Sequence, residues 1–169
     1  MDFEILYNDL SHNADLIRLL VTGITIEDAR ARPAPETWSI LEVICHLFDE
    51  EIEDFRRHLD LILFHPADPW PPIDPGGWVL ARQYNQRDPG EMLEKFLDER
   101  RRSLEWLRRL DSQDWDAWYS NPFGSMKAGD MLSSWVAHDN LHMRQLAELR
   151  RARIERICTP YDFQYAGEW

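Results

Sequence analysis

Apolar residues recur at steps of three and four in four separate stretches of the chain, the spacing that gathers them on one face of a helix. From about Phe3 to Val21 they are Phe3, Leu6, Leu10, Ala14, Ile17 and Val21. A second stretch begins near Trp38-Ser39 and runs to about Phe64, with Ile40, Ile44, Phe48, Ile52, Phe55, Leu59 and Ile62 as its stripe. A third, about Gly90 to Leu110, repeats Leu93, Phe96, Leu97, Leu104, Leu107 and Leu110. The fourth, about Asp130 to Arg151, carries Met131, Leu132, Trp135, Leu146 and Leu149. Alternating, strand-like spacing is nearly absent, and only Trp115 to Phe123 offers a brief pairing. The pattern predicts an all-α fold.

The connections refine this. A short turn rich in Ala and Pro, ending at Pro33-Ala34-Pro35, joins the first stretch to the second. The segment His65 to Asp88 holds Pro66, Pro69, Pro71, Pro72, Pro75 and Gly76-Gly77, which predicts a long loop with no helix in it. A second helix of the length read here spans about 40 Å at about 1.5 Å per residue. An extended loop at about 3.3 Å per residue can run back along all of it, so that the third helix lies parallel to the second. The expected architecture is therefore a four-helix bundle, up-down-down-up, with one long crossover between the second and third helices. Trp70, Trp78 and Tyr84 favour a crossover packed over something rather than a loose surface excursion. One domain spanning 1–169 is expected, with the bundle at about 3–151 and a tail at 152–169.

Composition adds exclusions. At 169 residues, 44% hydrophobic and 30% charged, the chain is long enough for a core of its own, and the composition excludes a disordered chain and leaves a soluble globular class. Its net charge of −12 argues against nucleic acid, which needs a basic footprint, and against anionic membrane surfaces. No apolar run approaches the roughly 18 residues of a membrane span. The start, Met1-Asp2-Phe3-Glu4, lacks the basic and apolar regions of a signal peptide, and Cys45 and Cys158 show no disulfide or CxxC pattern. A cytoplasmic protein with two reduced thiols is expected. The eight Trp are unusual for this length and imply a dense core, an aromatic-lined cleft or a partner interface.

The candidate chemistry lies in the histidines. His138 and His142 stand four apart on the fourth helix, so both can reach one ion, although two hydrogen-bonded core histidines fit the same spacing. Asp139 occupies the place of the Glu in HExxH but has a shorter reach, which argues against a zincin. His46, early in the second helix, is the natural third ligand. Glu50, one turn on, could be a ligand, a base or a solvated carboxylate. On a straight helical wheel His46 falls nearly opposite the Ile44–Phe55 stripe, among Glu42, Glu50 and Glu53. A metal site there requires that this polar strip line a cleft or that the helix be rotated or bent. His12, His58 and His65 read as solvated or structural.

These residues carry a resemblance. The run from Trp38-Ser39 through His46-Leu47 to Asp49-Glu50-Glu51 resembles the second-helix signature of the DinB-like superfamily. The run His138-Asp139-Asn140-Leu141-His142-Met143-Arg144-Gln145 resembles its fourth-helix signature, and the likeness covers about residues 3 to 151. The resemblance implies an up-down-down-up bundle and a mononuclear divalent metal, most often nickel or zinc, held by His46, His138 and His142. It makes Asp139 a supporting group rather than a ligand. Three histidines leave a further position open, as in catalytic metal sites.

Members of that superfamily include thiol S-transferases that use low-molecular-weight thiols, a thiol-dependent isomerase and metal-dependent hydrolases of unknown substrate. The resemblance therefore implies a metal-dependent enzyme, of thiol-transferase or hydrolase type, acting on a small molecule. The metal would lower the pKa of a bound thiol or water. A non-catalytic metal- or ligand-binding bundle and a metal-free helical homodimer are the alternatives. The long Pro/Trp loop and the tail Tyr161-Asp162-Phe163-Gln164-Tyr165 are where substrate recognition would lie.

Overall fold

The computed structural model describes residues 1–110, 112–121 and 124–167. Seven helices and a hairpin follow in order: α1 (Phe3–Val21), α2 (Ile26–Arg30), α3 (Ile40–Glu50), α4 (Arg56–Phe64), α5 (Pro75–Ala81), α6 (Pro89–Leu107), β1 (Trp118–Asn121), β2 (Gly124–Lys127) and α7 (Ala128–Cys158). Four long helical units form the body: α1, the continuous α3–α4, α6 and α7. Phe123, in the brief strand-like stretch, and the last two residues of the tail, 168–169, lie outside the described residues. No described helix is long and apolar enough to cross a membrane.

The ends of these helices are written in the sequence. Asp2 caps α1 by accepting from the Ile5 amide, and Asp88 caps α6 by accepting from Glu91, with Pro89 at the first helical position. Ser39 and Glu42 form a reciprocal capping box that starts α3. Between α3 and α4 lies one wider, π-helical turn, Glu51–Phe55. That turn re-phases the helix, so residues on either side of it can both face the bundle.

Side-chain pairings fix how the long helices lie. Gly129 sits beside Met1, and Arg150 donates to the Leu20 carbonyl at 2.7 Å, so α1 and α7 keep company from end to end. Arg100 reaches the Leu10 carbonyl at 2.9 Å, and Arg108 reaches Glu4 at 2.9 Å. Arg100 meets Glu51 at 2.8 Å, and Arg56 meets Ser103 at 3.2 Å. Phe55 stacks on Trp135 while His46 faces His142.

Two apolar clusters fill the interior. One gathers Phe3, Leu10, Phe55, Leu59, Leu107 and Trp135; the other gathers Ile17, Ile40, Ile44, Tyr84, Phe96 and Leu146. Each side chain of this size stabilises by about 1.5–3 kcal/mol when fully buried. Along every long helix buried polar residues separate the two clusters: Asn13 on α1, His46, Asp49 and Glu50 on α3, Glu99, Arg100 and Ser103 on α6, and Asp139 and His142 on α7. The core is thus apolar at both ends and polar across its waist.

Three expectations need correction. The segment 65–88 is not devoid of helix: α5 occupies Pro75–Ala81, and a 3₁₀ turn follows at Tyr84–Gln86. Pro75 sits at the first helical position, where its missing N–H costs nothing, and Asp74 caps the turn by accepting from Gly77. The Ala/Pro connection likewise contains the one-turn helix α2, capped by Thr25. Finally, α7 continues to Cys158 rather than stopping near Arg151. Its extension is held to α2 by Arg153, 2.6 Å from Asp28, and by Arg156 on the same carboxylate.

Candidate metal centre

The polar waist brings the three histidines together. The Nε2 atoms of His46 and His138 are 3.2 Å apart, those of His46 and His142 3.1 Å, and those of His138 and His142 3.1 Å. His46 and His142 are buried, and His138 is partly so. The spacing of four brings His138 and His142 to one side of α7, and α3 supplies His46 from across the bundle.

The tertiary structure places the polar strip of α3, His46 included, inside the bundle. Nearly all of α3 is buried, including Glu42 at 1%, His46 at 4% and Glu50 at 3% exposure. Its polar strip faces the waist, and its apolar stripe packs elsewhere in the core. The π turn then brings Phe55 back toward α7, where it contacts both Trp135 and His138.

Burial and crowding hold the imidazoles neutral. Burial, then the neighbouring His142 and His138, push the His46 pKa down to about 2. Burial and His142 bring His138 to about 3, and burial lowers His142 as well. Three nitrogens of neutral imidazoles converging on one point cannot all satisfy one another, because each offers a single hydrogen or a single lone pair. A cation at the point of convergence satisfies all three, and neutral imidazole is the ligating form. The donor set therefore fits a divalent ion of borderline softness.

The far sides of the rings are also occupied. His142 Nδ1 lies 2.8 Å from Gln145 Oε1, an acceptor that assigns the hydrogen to Nδ1 and frees Nε2. His46 Nδ1 faces Glu50 Oε1 at 3.6 Å; both atoms are buried and neither has a hydrogen-bond partner. Glu50 is thus buried rather than solvated, and burial followed by its hydrogen bond with Asp54 pushes its pKa up to about 9. Trp38 completes the surround, with its ring centroid 4.9 Å from His46 and its plane within 3° of His142. A groove of about 480 Å³ beside this tryptophan, lined by Trp38, Leu141, His142, Arg144 and Gln145, gives His142 a route to solvent.

Behind the histidines stands a network that the periodicity did not reveal. Arg100, 1% exposed, donates to Glu51 at 2.8 Å, to both oxygens of Asp139 at 2.7 and 2.8 Å, and to the Leu10 carbonyl. Trp135 Nε1 adds a 2.9 Å bond to Glu51. Burial opposes the Arg100 charge, but Glu51 and Asp139 outweigh it and raise its pKa. Asp139 therefore locks the phase of α7 beside His138 instead of touching an ion. Arg100 sits in a run of charges, Asp98-Glu99-Arg100-Arg101-Arg102, and nothing in that run distinguishes it from its solvated neighbours. Its place four residues after Phe96 and seven before Leu107, on the same face of α6, was the available signal.

Of the other histidines, His58 is fully buried, with Nδ1 2.6 Å from Asp54 and Nε2 3.1 Å from the Pro71 carbonyl. His65 is exposed near Asp60. Cys45 is buried, its thiol pushed up to about 12 by burial, which makes it inert.

A mostly helical bundle with three neutral histidines converging at its waist defines a class of helical protein equipped to hold one metal ion. The sequence matches the DinB superfamily over residues 9–146, and the chain belongs to that superfamily. Its fold is similar to that of YfiT from Bacillus subtilis, with a TM-score of 0.78 and 20% identity over 88% of this chain and 86% of the other. YfiT is described as "a probable metal-dependent hydrolase with an unusual four-helix bundle topology". No curated protein matches the chain.

Proposed function

We propose that this protein binds one divalent metal ion through His46, His138 and His142 and is a metal-dependent enzyme of the hydrolase or thiol-transferase type. The observation that carries the reading is the convergence of three neutral imidazoles, their Nε2 atoms within 3.2 Å of one another, at a largely buried point. When bound, such an ion supplies Lewis acidity to a water or thiol in its open position. Nickel and zinc suit three imidazoles, and the description of YfiT as a probable metal-dependent hydrolase supports the hydrolytic side of the reading.

The chain's own residues divide the work. Gln145 and Glu50 orient His142 and His46 from behind. Glu50 lies on the Nδ1 side of His46, away from the converging nitrogens, which supports an orienting role over that of a base. Trp38 and the adjoining groove offer a small substrate an apolar wall with Arg144 and Glu148 at its rim. An up-down-down-up order belongs to this reading. It is supported by contacts that advance together on the second and third helical units, Glu51 with Arg100 and Arg56 with Ser103. A single domain is supported by pairings such as Arg108–Glu4 and Arg150–Leu20, which link the two ends of the chain.

Elemental analysis of protein purified without an affinity tag tests the proposal. One nickel or zinc per chain in the wild type, lost in His46→Ala and His142→Ala, is expected. Full occupancy in His46→Ala would overturn the three-histidine site. Loaded protein should then be assayed against simple esters and amides, and against electrophiles with several low-molecular-weight thiols. Turnover in one set assigns the reaction type, and silence in both favours a binding role.

A further inference from the structure

Four titratable residues stand at intervals of four along one helix: His46, Glu50, Asp54 and His58. In a plain α-helix each such step drifts by about 40° around the axis. The wider turn at Glu51–Phe55 counters that drift, so the four side chains remain one above the other. The first faces the second, and the last three are joined by hydrogen bonds. His46 Nδ1 faces Glu50 Oε1 at 3.6 Å, Glu50 is hydrogen-bonded to Asp54, and Asp54 Oδ1 lies 2.6 Å from His58 Nδ1.

The ladder ends on the crossover. His58 Nε2 is 3.1 Å from the Pro71 carbonyl, which can only accept, so that nitrogen carries the hydrogen. The His58 ring stacks on Trp70 at 4.1 Å with 9° between planes, and Trp70 packs on Tyr119 at 5.3 Å. The Tyr119 hydroxyl in turn donates to the Asp68 carbonyl at 2.6 Å. This proline-rich segment is therefore held at a buried polar joint whose other end is a ring of the metal centre.

We propose that Asp54 and His58 are positioning residues of the metal centre, which tie the orientation of the His46 ring to the docking of the crossover at residues 65–74. The proposal rests on the three-histidine reading above. An ion on Nε2 fixes the His46 ring, and Nδ1–H then has Glu50 as its acceptor. Glu50 can meet it only while Asp54 holds the carboxyl, and Asp54 is held by His58. Because coupling free energy is reciprocal, an ion that favours the closed ladder also tightens the crossover, and loosening the crossover weakens the ion by the same factor. Partners directly behind a ligand are worth 10- to 100-fold in metal affinity; one link further on, roughly 3- to 10-fold is expected.

The test uses the full chain and cobalt(II), whose visible absorption reports ligand geometry. Wild type, Asp54→Ala, Asp54→Asn and His58→Phe are titrated, and deuterium uptake of the peptide covering 65–74 is measured with and without cobalt. Asp54→Ala should bind cobalt roughly 3- to 10-fold more weakly with an altered visible spectrum. Asn, which can accept from the Glu50 carboxyl and donate to His58 Nδ1, should restore most of the affinity. His58→Phe keeps the stack on Trp70 while removing both polar links, so it guards against simple misfolding and should weaken cobalt to a similar degree. In the wild type, cobalt should slow exchange in 65–74, and the slowing should vanish in Asp54→Ala. Unchanged affinity and spectrum in Asp54→Ala and His58→Phe, with exchange in 65–74 indifferent to cobalt, would overturn the coupling and leave the centre standing. A wild type that takes up no cobalt overturns the centre itself and is seen before any variant is made.

Discussion

Replacing Arg100 by methionine should destabilise the protein by about 3–5 kcal/mol, the range for removing one partner from a buried ionic cluster. The structure sets that figure. Arg100 is 1% exposed and spends its donors on Glu51, Asp139 and the Leu10 carbonyl, all between 2.6 and 2.9 Å. Methionine fills most of the volume, so little of the loss comes from a cavity. What remains is two buried carboxylates, each 1% exposed or less, with no cation between them. Each must then stay charged without a partner or take up a proton, and both courses cost free energy. Lysine keeps the charge but not the fork, so Arg100→Lys should fall between wild type and methionine.

The assay is urea unfolding followed by circular dichroism, comparing midpoints at constant slope. Adding Asp139→Asn to Arg100→Met removes one orphaned charge and should recover part of the loss, a coupling that a double-mutant cycle reads directly. A loss below about 1 kcal/mol in Arg100→Met, the size of a surface ion pair, would refute the argument that this cluster fixes the phase of α7.

Other consequences follow from the same waist. Metal-free protein should be most stable near pH 6.5. Below the unfolded histidine value of 6.5, the unfolded chain binds protons that His46 and His138 refuse, while folded Glu50 already holds one that its unfolded form lacks above 4.5. The net difference of about one proton makes stability fall by roughly 1.4 kcal/mol per unit as pH drops from 6.5 to 4.5, and the lowered His142 adds to the fall in the same sense. Above 6.5 the Glu50 contribution alone reverses the slope, and stability declines toward its folded value of about 9. Thermal midpoints across pH check both limbs, and a flat acid limb would show that the histidines are not held neutral. Gln145→Ala, which frees His142 Nδ1, should weaken metal binding by roughly 10-fold by titration calorimetry with little change in Tm. Tyr84→Phe removes the hydroxyl that donates to buried Asp49 and should cost about 1–2 kcal/mol in urea unfolding.

The four long helices were legible because each buries a stripe, and a stripe leaves a period of 3.6 in the sequence. The phase of α7 and the pairing of His138 with His142 were legible for the same reason. The burial of His46 was not: a wheel treats a helix as having one buried face, and α3 is buried almost all round. Pro75 misled because proline forbids the interior of a helix but not its first turn, and only the capping geometry at Asp74 tells the two apart. Arg100 and Glu51 looked like surface charges among many, since sequence records a residue's charge and not its distance from a counter-charge.

Periodicity and two histidine-bearing runs by themselves determined the four long helices, their order and the identity of three candidate ligands, because these depend on residues close together in the chain. Tertiary structure alone decided that the three imidazoles meet, that Glu50 stands behind His46, and that Asp54 and His58 carry the line on to Pro71. Those facts join residues such as His46 and His142 or Glu51 and Arg100, which are remote in sequence. Their approach is set by packing two apolar clusters around a buried polar waist, and no local pattern encodes a distance between helices.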